Sequence, residues 1–166
     1  MHEYLISTLL VQMNKDSRIL VAGMDTMEGV SLCESLVNSG FENILPSRDT
    51  DLRVYEKLDV FFQDHSPEYI FLVDGLSGGI KANQEMPASL MIDNLKVITN
   101  TISLAHDYRS KKLIYMASSC SYPKESTQPM DPALLMTGPL EPTNSSYATA
   151  KLAGIELCRA YSEQYN

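Results

Sequence analysis

The chain has 166 residues, 44% of them hydrophobic, enough for one domain with a real core. Its 21 acidic residues outnumber 13 basic ones, for a formal charge of −8, and this excludes a binder of nucleic-acid backbone, which needs clustered Lys and Arg. No apolar run reaches the length of a membrane span, so neither nucleic acid nor a membrane is expected as a partner.

The first 17 residues, "MHEYLISTLLVQMNKDS", hold a short apolar run without a basic flank before it or a small-residue cleavage site after it. They read as an N-terminal extension or a short helix rather than a signal peptide. Met13 is a possible alternative start. The domain proper is expected over 18–166. "RILVAG" (18–23) reads as a buried strand ending in Gly, and the apolar spacing of Val30, Cys33, Leu36 and Val37 predicts a helix over 27–39. A second strand is expected near 43–46, a helix over 54–65, a third strand at "YIFLV" (69–73), a long helix over 87–108 with Pro87 in its first turn, a fourth strand at "KLIYMAS" (112–118) and a last helix over 145–164. Continuous apolar strands alternating with amphipathic helices predict parallel βαβ units. The expected fold is therefore α/β, a Rossmann-like parallel sheet with flanking helices, ending before the last strands of a complete doubly wound sheet.

Cys33, Cys120 and Cys158 form neither a paired framework nor a CxxC site, and His2, His65 and His106 show no ligand spacing. No metal centre is expected, and a reducing cytoplasm is the expected compartment. Cys33 and Cys158 read as core residues. Cys120 shares a strand-end loop with Ser118, and residue chemistry alone leaves its role open.

Two stretches carry chemistry. After the first strand, "GMDTMEG" puts Gly23 and Gly29 at the outer positions of a GxxGxxG turn, with Thr26 at the middle one. Such a turn lets backbone approach a dinucleotide pyrophosphate. Asp25 and Glu28 would oppose that anion. In the loop after the second strand, Arg48 is placed to meet an adenosine 2′-phosphate, and Asp51 and Leu52 to flank the adenine. Arg48 favours NADP(H) and Asp25 opposes it, which keeps NAD(H) open.

The second stretch is "LEPTNSSYATAKLAGIELC" (140–158), where Tyr147 and Lys151 are four apart and share a helix face. Ser118 ends the fourth strand. Reducing a carbonyl with a nicotinamide needs a proton donor at the oxygen. An ammonium about 4 Å from the phenol would favour tyrosinate by roughly 4 kcal/mol, bringing its pKa from about 10 towards about 7. Tyr147 would then exchange a proton at neutral pH, with Ser118 holding the substrate oxygen and Lys151 also reaching the nicotinamide ribose.

Together with "SSCSYPKESTQPM" and "SGGIKANQEMPASLMIDNL", that stretch resembles the extended short-chain dehydrogenase/reductase family, and within it the GDP-L-fucose synthase branch. The resemblance covers roughly residues 18–166. It implies a catalytic triad of Ser118, Tyr147 and Lys151, with Cys120 assisting epimerisation. It also implies an NADP(H) site at Gly23, Thr26, Gly29, Arg48, Asp51, Leu52, Gly75, Tyr147 and Lys151. The implied substrate is a nucleotide sugar, GDP-4-keto-6-deoxy-D-mannose. The implied assembly is a homodimer through the two long helices. The chain departs from the family pattern at Asp25, where a basic residue is usual, at Thr26, where Gly is usual, and at Asp74, where a small apolar residue is usual. The family's partner acid for epimerisation, a His, falls beyond residue 166. Two alternatives accompany this reading: a non-catalytic relative that pairs with a full-length homologue, and a nucleotide-sugar epimerase or reductase for another sugar.

Overall fold

The computed structural model describes residues 13–165. Residues 1–12, most of the expected extension, lie outside the described residues. Met13 is 5% exposed and packs in the core.

Three strands, β1 (Ile19–Ala22), β2 (Tyr69–Leu72) and β3 (Lys112–Tyr115), form a parallel sheet in the order β1-β2-β3. Register pairs Ile19 with Tyr69 and Tyr69 with Lys112. Every residue of β1 and β2 is buried, which is why both read as unbroken apolar runs. Alternation then divides the core. Leu20, Ala22, Ile70 and Leu72 face one side and pack with Leu58, Phe62, Ile98 and Ile102. Ile19, Val21, Phe71 and Val73 face the other and pack with Leu36 and Phe41. Cys158 and Cys33 pack against these two clusters respectively.

The helices are α1 (Met27–Asn38), α2 (Tyr55–His65), α3 (Gly79–Glu85), α4 (Pro87–Asp107) and α5 (Ser145–Tyr165). Pro87 opens α4, where its missing N–H costs nothing. The two long helices, α4 and α5, lie against each other.

The expected second strand is corrected by the structure. It is a single parallel bridge, Ile19 to Ile44, beside β1. Ile19 N donates to Asn43 O at 3.0 Å and Leu45 N to Ile19 O at 2.8 Å. The next amide in register, Ser47 N, turns back to the Leu45 carbonyl at 3.0 Å, while the Ser47 hydroxyl donates to Val21 O at 3.1 Å, and the ladder ends there. The short helix α3 was not anticipated, because "GIKANQE" shows no apolar period.

Candidate functional site

The turn between β1 and α1 is built on close approach. Gly23 has φ +102°, and a Cβ there would lie 2.6 Å from the Asp74 amide nitrogen. A Cβ on Gly29 would lie 2.0 Å from the Gly23 carbonyl oxygen. Both positions therefore require Gly for backbone packing. Thr26 is the N-cap of α1: its hydroxyl accepts from Gly29 N at 3.0 Å and donates to Gly23 O at 2.8 Å. The residue that departs from the Gly-rich pattern thus closes the turn internally.

The segment after β2 is pinned from two sides. Lys151 Nζ, on α5, donates to the Asp74 carbonyl at 3.1 Å. Asn94, on α4 and 1% exposed, donates to the carbonyls of Leu76 at 2.9 Å and Leu90 at 2.7 Å. Gly75 sits between these groups, and a Cβ on it would lie 2.6 Å from Lys151 Nζ. Sequence reasoning missed Asn94. Its signal was a polar residue within the apolar stripe Leu90, Val97, Ile98 of α4.

After β3, Ser118 caps the short turn Ser119–Ser121 and accepts from Cys120 N at 3.2 Å. Ser118 also acts on the Tyr147 phenol, favouring its ionised form. Cys120 Sγ accepts from Asn144 Nδ2 at 3.2 Å. The turn Pro142–Asn144 leads directly into α5, so Asn144 links the Cys120 loop to the helix that carries Tyr147 and Lys151.

The electrostatics correct one expectation. Lys151 is 3% exposed, and its amine is drawn to the Asp74 carbonyl, 5.9 Å from the centre of the Tyr147 ring. Burial pushes the Tyr147 phenol above its ordinary value; Ser118 pulls it down, and the charges of Cys120 and Glu28 push it up. The fall towards 7 expected from the Lys–Tyr spacing is therefore absent. Burial likewise lowers the Lys151 amine, against the opposing charges of Asp74 and Glu28. At neutral pH Tyr147 is a half-buried phenol that keeps its proton.

Two cavities meet at Thr26, Asp74 and Leu76. The first, about 500 Å³, is lined by Gly23, Asp25, Arg48, Asp51, Leu52 and Arg53 among others. The second, about 410 Å³, is lined by Glu28, Gly75, Met116, Ala117, Tyr147 and Lys151 among others. The fold thus gathers the expected cofactor residues along one continuous groove, with Gly29 beneath the turn. Ser118 and Cys120 line neither cavity. Arg48 is ion-paired with Asp25. Among the described residues no cluster of three or more His, Cys, Asp or Glu is arranged to hold a metal ion, and no helix is long and apolar enough to cross a membrane.

A groove with a strand-to-helix turn at its middle and a Tyr–Lys pair at one end fits a dinucleotide laid across the carboxyl ends of parallel strands. Comparison with known proteins agrees with that geometry. The profile of the NAD dependent epimerase/dehydratase family matches residues 19–166. GDP-L-fucose synthase from Sinorhizobium fredii is 41% identical over 149 residues, covering 89% of this chain and 48% of that protein. GDP-L-fucose synthase 1 from Arabidopsis thaliana is 39% identical over 154 residues, covering 92% and 48%. The structure of a GDP-mannoheptose C4 reductase from Campylobacter jejuni with NADP bound superposes with a TM-score of 0.87 at 32% identity, covering 92% of this chain and 49% of that one. The chain spans about half the length of the curated relatives it matches.

Proposed function

The chain belongs to the NAD dependent epimerase/dehydratase family, and we propose that it is the cofactor-binding, triad-bearing part of an NADP(H)-dependent GDP-keto-sugar epimerase/reductase of the GDP-L-fucose synthase type. The observation that carries the reading is the groove, in which the Gly23–Gly29 turn opens onto the cavity holding Tyr147 and Lys151. A bound reduced nicotinamide would supply hydride to the substrate carbonyl carbon. Gly23 and Thr26 would hold the pyrophosphate region, Arg48 the adenosine end, and Lys151 the nicotinamide end. Tyr147 gives its phenolic proton to the oxygen as the carbonyl becomes an alcohol. Its burial suits that role, because the proton is in place at neutral pH. Ser118 is assigned the positioning of the same oxygen by family resemblance. Cys120, held by Asn144, is assigned the proton transfer of epimerisation by family resemblance.

The named substrate is GDP-4-keto-6-deoxy-D-mannose and the product GDP-L-fucose. Likeness to a GDP-mannoheptose C4 reductase favours a second reading, in which the guanine nucleotide is shared and the sugar differs. Two copies of the chain are proposed to pair through α4 and α5, in a compartment expected to be cytoplasmic.

The test joins this chain to the C-terminal half of the Sinorhizobium relative and follows NADPH consumption with a panel of GDP- and UDP-keto-sugars. The hybrid is expected to turn over a GDP-keto-sugar. Tyr147→Phe is expected to lower kcat at least about 100-fold, the usual worth of a general acid. Equal activity in Tyr147→Phe contradicts the assigned role, and preference for a UDP-sugar contradicts the assigned substrate.

A further inference from the structure

We infer that Asp25 is a specificity-determining residue of the adenosine cavity: it holds Arg48, and so competes with a 2′-phosphate for the guanidinium placed to receive it. The inference rests on the reading of that cavity as the adenosine site. Arg48 is paired with Asp25. The other cation on the wall, Arg53, is committed elsewhere. Its Nε and Nη2 each donate to a carboxylate oxygen of Asp51 at 2.9 Å, and its Nη1 donates to Asp93 at 3.3 Å. Asp49 and Asp74 also line the cavity. The wall therefore presents four carboxylates, Asp25, Asp49, Asp51 and Asp74, against Arg48 and Arg53, and both guanidiniums are already matched.

A ribose 2′-hydroxyl finds carboxylate acceptors on such a wall, as an unphosphorylated dinucleotide requires. A dianionic 2′-phosphate finds a cation only if Asp25 releases Arg48. The pair is half-exposed, with side-chain exposures of 65% for Arg48 and 48% for Asp25. An exposed pair of this kind is weak, and a doubly charged phosphate that accepts two guanidinium bonds displaces it. Asp25 therefore sets a graded preference between NADPH and NADH rather than a barrier. Sequence places Asp25 and Arg48 23 positions apart, in two loops; only the fold shows that one answers the other.

The test titrates the purified chain with NADPH and NADH by nicotinamide fluorescence, in the native sequence, Asp25→Asn, Arg48→Gln and the double variant. Asp25→Asn is expected to tighten NADPH roughly fivefold to tenfold, the scale of one unit charge removed near another in a solvated site, with NADH unchanged or weaker. In the Arg48→Gln background that gain is expected to vanish. Equal tightening of both nucleotides overturns the inference, because only general charge has then changed. So does a gain that persists without Arg48. Failure of the folded native chain and all variants to bind either nucleotide removes the cofactor reading itself, and this inference with it. Binding of both nucleotides with no effect of Asp25→Asn removes this inference alone.

Discussion

Lys151 shows what spacing reveals and what it leaves out. Its position four residues after Tyr147, on one helix face, was legible from the sequence, and so was the need for glycine at 23 and 29. The destination of its amine was not, because the main-chain carbonyl of Asp74 carries no sequence signal. Nor was the direction in which Tyr147 titrates, because depth of burial is a property of the packed fold. Burial lowers the Lys151 pKa from the ordinary value of 10.5, so the folded state disfavours the ammonium. The resulting stability penalty is present throughout the range below the folded pKa, and is relieved as pH rises from there towards 10.5. Replacing Lys151 by Met removes the buried charge at similar volume. At pH 7, Lys151→Met is expected to match or exceed the native melting temperature, with a gain of up to about 1 kcal/mol, while NADPH binding weakens. Thermal unfolding from pH 7 to 10 checks the sign: the variant's advantage should shrink as pH rises. A clear loss of stability at pH 7 would show that the hydrogen bond to Asp74 outweighs the cost of burial.

Among the elements, the strands and long helices were legible because their apolar periods are strong and their lengths match a parallel layer. The bridge at Ile44 was overestimated as a strand because Ile44 and Leu45 look apolar, while the Ser47 amide turns back to Leu45 and stops the ladder after one pair. The helix α3 was missed because its packing partner, the turn Pro142–Asn144, is distant in sequence. The pair α4 and α5 leaves large apolar groups uncovered: Ile92 is 51% exposed and Tyr165 53%. Tyr165 stacks beside His106 at 4.0 Å between ring centres, and Tyr161 lies 5.3 Å from the same ring. A second copy of the chain would cover such a surface. Sedimentation equilibrium should return a dimer mass for the native chain and a shift towards monomer for Ile92→Lys. A native chain that stays monomeric at high micromolar concentration contradicts pairing through these helices.

For the whole molecule, the order of apolar runs predicted a parallel sheet, and the sheet places the Gly-rich turn, the Asp74–Leu76 segment and the start of α5 along one groove. That convergence is the main support for the functional reading, since no single motif supplies it. The acidic wall around Arg48 was half legible: Asp25 and Arg48 were each visible as opposing signals, while their mutual pairing needed the fold. The central claim is that this groove holds a nicotinamide dinucleotide. Titration of the native chain, its fold checked by circular dichroism, with NADPH while following nicotinamide fluorescence tests it most directly. Saturable binding in the micromolar range, with enhanced emission as the nicotinamide enters the cavity of Tyr147 and Lys151, is the predicted result. A folded chain that binds neither NADPH nor NADH would contradict the account.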